Sequence, residues 1–213
     1  MLGMLLKDYY SLRSYFKKQI FLMIVLYLIL ALALQNMSFF STMMMMYAMM
    51  IYMSAFSVDA SSCWDAYACT TPVKPVSVVG ARGLLLLIGI WGLGSVTALI
   101  SMCGDVLLFG NPATETLGVF LAVAVVYTFV GIISLPIFYK IGAERGRMAM
   151  TILFIVPFIA VIWVGSMWDT LFGGISWESL NWPLIVLITL LVMVVLCVVS
   201  FLLAVRIYRT KEY

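Results

Sequence analysis

Residues Arg82–Asp105 read RGLLLLIGIWGLGSVTALISMCGD, two charges enclosing a stretch of 22 residues that carries none. A run of roughly 20 uncharged, mostly apolar residues crosses about 30 Å of hydrocarbon as a helix. Five other stretches share this character: Ile20–Leu34, Phe39–Val58, Leu117–Tyr139, Met148–Trp168 and Pro183–Val205. None contains Asp, Glu, Lys or Arg. The first is short, but Lys17 and Lys18 can snorkel at one end and Gln35-Asn36 can sit among headgroups at the other. With 65% hydrophobic residues, 10% charged and a mean hydropathy of +1.18, the chain lacks the charge to solvate a soluble surface. Its spans are continuously apolar rather than alternating, which argues against a β-barrel. The expected fold is all-α: one transmembrane domain over 1–213 with six spans.

The 12 basic residues gather in four clusters that flank these spans: Lys7, Arg13, Lys17 and Lys18; Lys74 and Arg82; Lys140, Arg145 and Arg147; Arg206, Arg209 and Lys211. The short connections inside each pair of spans carry no basic residue. Basic loops resist translocation, so all four clusters, and with them both termini, are expected on the cytoplasmic side. The net charge of +3 is thus a topology signal. The basic residues form no stripe interleaved with aromatics, so no nucleic-acid partner is expected.

Residues 1–18 place Leu2, Leu5, Leu6, Tyr9, Leu12 and Phe16 at helical spacing, with Lys7, Asp8, Ser11, Ser14 and Lys18 mostly elsewhere. That pattern predicts an interfacial helix lying on the cytoplasmic leaflet before the chain turns into the bilayer. Ala31-Leu32-Ala33 resembles a signal-peptide cleavage site. The amphipathic stretch before the apolar run, however, predicts a retained span.

Gln35–Ser38 is a tight hairpin connection. The segment after span three carries Asp105, Asn111-Pro112 and Glu115. Asp169–Trp182, with Trp168, Phe172, Trp177 and Trp182 clustered about it, reads as an aromatic belt or a small outer lid. The longest polar segment is 59–82. Asp59 or a following Ser can cap a short Ala-rich helix with Trp64 and Tyr67 on one face. Thr70-Thr71-Pro72 ends it, and Pro72-Val73-Lys74-Pro75 cannot continue it. A short helix under the membrane followed by a stiff turn is the expectation for 59–75, with Val76–Arg82 leading into span three.

Much chemistry is excluded. The chain has no histidine, which removes Ser-His proteases, HExxH metalloproteases and His-ligated haem. No phosphate-binding loop of the GxxxxGK[ST] type is present. Cys63, Cys69, Cys103 and Cys197 show no CxxC pair and no metal-ligand spacing. No span holds the titratable residue that ion-coupled transporters use at depth. Asp59, Asp105 and Glu115 stand at span edges, where solvation is expected. Small and weakly polar span residues either pack helices or line a wet path. Met43 to Met46, Met49, Met50 and Met53 give span two an adaptable apolar surface, facing lipid or a greasy substrate. No catalytic, metal or cofactor site is expected on this chain.

In this order, Asp59, Trp64, Tyr67, Pro72-Val73-Lys74 and Arg82 resemble the loop after span two in the small six-span permease subunits of type-two ABC exporters. Within that family the chain is most similar to the permease of exporters for phenol-soluble modulins, amphipathic peptides of Gram-positive bacteria. The resemblance implies a permease of a bacterial cell membrane, exporting amphipathic or hydrophobic peptides. Energy would come from a separate cytoplasmic ABC ATPase, with ATP and Mg on that partner. It further implies a homodimer with two ATPase copies, surrounded by membrane lipid. The coupling residues would be Asp59, Trp64, Asp65, Tyr67, Pro72, Val73, Lys74 and Arg82, with Trp64 and Tyr67 as apolar anchors and the charges orienting. Glu144, Arg145 and Arg147 would make a second, smaller contact. The competing expectations are a membrane immunity or peptide-binding protein without transport, a facilitator or channel, and an intramembrane enzyme.

Overall fold

A computed structural model describes residues 2–64, 67, 74–166 and 182–210, and all regular structure among them is helical. Helix α1 (Leu2–Ala33) and α2 (Ser38–Ser61) form the first hairpin. A third rod runs over Pro75–Phe109. It consists of α3 (Pro75–Leu87), a π-helical turn over Ile88–Leu93, α4 (Gly94–Gly104) and a second π-helical turn over Asp105–Phe109. Helices α5 (Ala113–Ile141), α6 (Ala143–Ser166) and α7 (Trp182–Thr210) complete the bundle. Ser38–Ser61, Pro75–Phe109, Ala113–Ile141 and Ile188–Thr210 are long and apolar enough to cross a membrane, and Gln19–Ala33 is a shorter apolar stretch. The expected Trp-rich outer segment over 169–181 lies outside the described residues.

Three boundaries differ from the expectation. Helix α1 is unbroken for 32 residues. At about 1.5 Å per residue that is about 48 Å, with no break at the expected turn near residue 19. Helix α2 runs past Val58 to Ser61, which places Asp59 inside it rather than at the cap of a following helix. Val76–Arg82 is already helical, because Lys74 is extended (φ −68°, ψ 132°) and Pro75 takes the first helical position, where its fixed φ fits and its missing N–H costs nothing. At the far end Gly110, at φ 70°, terminates the rod in the left-handed conformation that glycine adopts without penalty.

Helix α2 is the centre of the bundle. Its buried positions recur as Ser41, Met44 and Met45, Ala48 and Met49, Tyr52, Ala55 and Phe56, then Asp59, while Phe40 and Tyr47 are buried on a second side with Tyr27 and Ala31 of α1. The first series keeps the helical period, with that face against the core. The methionine stretch therefore splits: Met44, Met45 and Met49 are core residues, whereas Met46 and Met50 are exposed. Met43 and Met53 are half-buried, so the expected methionine surface reduces to Met46 and Met50 with these two at its edge. Met45, Met49, Tyr52 and Phe56 pack against Leu86 and Ile90 of the third rod, Phe120, Leu135 and Phe138 of α5, and Met150 of α6. In lipid such packing, with hydrogen bonds between helices, does the work that water expulsion does in soluble proteins. At Gly131 a Cβ would overlap the Leu86 side chain, so glycine there is what allows α5 and the third rod to approach.

Pro136 inside α5 has no N–H to give the carbonyl of Ile132. Ser200 of α7 donates its hydroxyl to that same carbonyl. A neighbouring helix thus satisfies the group that the proline leaves open, as membrane helices with internal prolines require.

Candidate functional site

The basic clusters meet at one end of the bundle. Lys7 and Arg82 both reach Asp59, Arg147 donates to Ser57 two residues earlier on α2, and Arg206 and Arg209 stand beside Val76 of α3. At the centre of this end lies a network of two cations and two carboxylates from three helices. Arg82 of α3 donates from Nη2 to Asp59 Oδ2 of α2, and the same nitrogen lies 3.2 Å from the Ala55 carbonyl oxygen. Its Nη1 is 3.1 Å from Asp8 Oδ2 of α1, an ion pair not aligned as a hydrogen bond. Lys7 pairs with Asp59 Oδ1 and lies 3.2 Å from Asp8 Oδ1. Arg82 is 3% exposed and Asp8 4%. Burial pushes the Asp8 carboxyl above its ordinary range, against the pull of Arg82 and Lys7.

Aromatic rings continue the network in both directions. Inward, the Arg82 guanidinium stands 5.1 Å over the Phe56 ring, which stacks on Phe138 at 4.6 Å. Tyr139 meets Phe56 edge-on at 5.5 Å and Tyr208 of α7 at 5.4 Å. Outward, Lys7 Nζ lies 4.3 Å from the centre of the Trp64 ring, within cation–π range. Trp64 in turn packs on Tyr67 at 5.4 Å. Tyr67 is 59% exposed, and the buried indole N–H of Trp64 has no hydrogen-bond partner among the described residues. The chain enters this segment through Cys63, at φ 50°, which turns it sharply off the end of α2.

Of the residues expected to face a partner, Trp64, Tyr67 and Lys74 lie at the surface or partly so. Glu144, Arg145 and Arg147 are exposed in the first turns of α6. Asp65, Pro72 and Val73 lie outside the described residues. Asp59 and Arg82 are turned inward on each other and on Asp8, so they tie the roots of the 59–82 segment together. The expectation that Asp59 is solvated fails for the same reason.

Lys7 and Asp8 belong to this site, yet the pattern of residues 1–18 set them on the polar side of an interfacial helix. The structure buries Asp8 and Leu12 and exposes Leu6, Tyr9 and Tyr10. The i, i+4 pairing of Asp8 with Leu12 was the available signal, and the partners at Asp59 and Arg82 decide it.

Asp105 is also buried, at 1% exposure, at the opposite end. Its carboxylate accepts from the Met37 N–H at 2.9 Å, the Ser38 hydroxyl at 3.4 Å and the Thr116 hydroxyl at 2.7 Å. It therefore serves as the N-terminal cap that α2 lacks from its own side chains.

The family model for the ABC-2 family transporter protein matches residues 3–209. The chain belongs to the ABC-2 transporter family. Comparison with curated proteins and with solved structures found no match. As an ABC-2 permease the chain is a multi-pass membrane subunit of an ABC transporter, its role is transport, and its family partners with an ABC ATPase subunit. The buried network thus stands at the end of an ABC-2 permease where its basic clusters lie.

Proposed function

We propose that this ABC-2 permease exports amphipathic or hydrophobic peptides from a bacterial cell, as a homodimer with two cytoplasmic ABC ATPases that bind ATP and Mg. All six apolar rods cross the plasma membrane, and both termini lie in the cytoplasm by the positive-inside distribution of charge. The 59–75 segment is the coupling element. Trp64 and Tyr67 are its apolar anchors, Lys74 is its exposed charge, and Glu144 with Arg145 forms a second, smaller contact.

One observation carries this reading: an aromatic pair, Trp64 half-buried and Tyr67 exposed, is wired by Lys7 to a buried charge network that joins three helices. A push on Trp64 is thereby passed to the roots of α1, α2 and α3 together. Packed interfaces of this kind switch between discrete arrangements rather than deform continuously. The phenol-soluble modulin class of substrate rests on the resemblance of the 59–82 motif.

The test is co-purification of the permease with an ABC ATPase encoded beside it, followed by ATPase assays in lipid vesicles with an amphipathic helical peptide. Stable association and peptide-stimulated hydrolysis are expected. Association without any response to peptide would remove the peptide-export reading. Failure to associate with that ATPase would remove the coupling reading itself.

A further inference from the structure

The chemistry of α7 changes along one face near its end. Phe201, Leu202 and Val205 form an apolar wall, Arg206 and Arg209 stand one turn apart beyond it, and Val76 of α3 closes the other side. The groove between them measures about 380 Å³, within the roughly 300–1,000 Å³ typical of small-ligand sites. Leu202 is 61% exposed, so the groove is open along its length. Neither guanidinium has an ion-pair partner among the described residues, in contrast to Arg82.

We propose that this groove binds an anionic phospholipid, with an acyl chain against Phe201, Leu202, Val205 and Val76 and the phosphate between Arg206 and Arg209. An apolar wall ending in two guanidinium groups without an ion-pair partner among the described residues complements a molecule with a hydrocarbon chain and an anionic head. The planar guanidinium fork matches phosphate oxygens bidentately. Helix α3 begins at Pro75, so the positive end of its dipole also lies at this groove. Basic residues flanking a span are expected from topology alone. Topology does not, however, set two of them on the rim of one apolar groove. Occupancy would brace α7 against α3, whose Arg82 holds the charge network. The inference is independent of the peptide substrate and of the ATPase.

The test uses the full chain, purified in neutral detergent and exposed to mixed micelles of equimolar phosphatidylglycerol and phosphatidylcholine. The lipid retained per protein after repurification is read by mass spectrometry. Phosphatidylglycerol is expected to exceed phosphatidylcholine by about fivefold or more, since each arginine near an anionic lipid contributes about fivefold. The Arg206→Ala/Arg209→Ala pair brings the ratio close to one. Arg206→Lys/Arg209→Lys, which keeps the charge, retains an intermediate preference. Leu202→Trp fills the groove and lowers phosphatidylglycerol retention with both arginines in place, which keeps the test valid should the alanine pair fail to fold.

A parent ratio near one, or a ratio unchanged by the alanine pair or by Leu202→Trp, would overturn the proposal. So would displacement of the lipid by inorganic phosphate as readily as by short-chain phosphatidylglycerol, which would reduce the site to an anion contact. Preferential retention of an acidic amphipathic peptide over phosphatidylglycerol would overturn it as well.

Discussion

The two ends of α2 are both fastened by a buried carboxylate, but by different chemistry. Asp59, at one end, is held by two cations, Lys7 and Arg82, with Asp8 completing a balanced set of four charges. Asp105, at the other, is held among the described residues by neutral donors: an N–H of the α1–α2 connection and the hydroxyls of Ser38 and Thr116. A neutral-donor cap is a static joint, satisfied in one geometry. A charged network can exchange partners while staying balanced, and among the described residues it is this one that connects to the half-buried Trp64 and the exposed Tyr67. The difference separates an end that anchors the helices from an end that can receive force.

Arg82→Ala should break the comparison most severely. It leaves Asp8 and Asp59 buried with Lys7 as their remaining cation, and loss of one partner from a buried ionic network costs about 3–5 kcal/mol. Thermal unfolding in detergent would read this. Arg82→Met combined with Asp59→Leu should recover most of the loss, because apolar replacement of a buried pair is often neutral. If Arg82→Ala alone unfolds like the parent, the network is not holding the three helices. Asp105→Ala comes next. It strands the Met37 N–H and the Thr116 hydroxyl, at a cost of about 1–3 kcal/mol, and should loosen that end of the bundle without altering partner binding.

Asp8→Asn should be the mildest, within about 1 kcal/mol of the parent. Burial raises the Asp8 pKa, so its neutral form is the one folding favours. Its contribution is full on the acid side of the ordinary aspartate range and lost as pH rises through the raised value. The gap between Asp8→Asn and the parent should therefore narrow as pH falls. A gap that widens would show that the charge on Asp8 is the favoured form.

Much of this was legible in the residues. The uncharged stretches place the helical rods, and the clustered Lys and Arg mark the end that carries the site. The start of α3 at Pro75 was not legible, because in the sequence Pro75 reads as part of a turn rather than as the first helical residue. The segment 59–82 stands out because Trp64 and Tyr67 share it with helix breakers. Less legible were the directions of single carboxylates. Asp8, Asp59 and Asp105 all sit near span ends, where solvation is the ordinary outcome. Their burial depends on the rotation of each helix, which is fixed by partners distant in sequence: Arg82 for Asp8 and Asp59, and Met37 for Asp105. The π-helical turn over Ile88–Leu93 is a matter of hydrogen-bond register, to which an apolar stretch with Gly89 and Gly92 gives no clue. The split of the methionines likewise follows from α2 occupying the centre of the bundle, where lipid meets only one of its faces.

The central claim is that force enters through Trp64 and reaches the helices through Lys7 and the charges behind it. The direct measurement is peptide transported per ATP hydrolysed by the reconstituted permease–ATPase complex carrying Trp64→Ala. The indole lies outside the spans, so insertion should persist; Tyr67 remains as the second anchor, and association of the variant with the ATPase is verified before coupling is read. Hydrolysis should continue while transport per ATP falls about tenfold or more, a factor that corresponds to about 1.4 kcal/mol of lost coupling. An unchanged ratio of transport to hydrolysis in that variant would contradict the account.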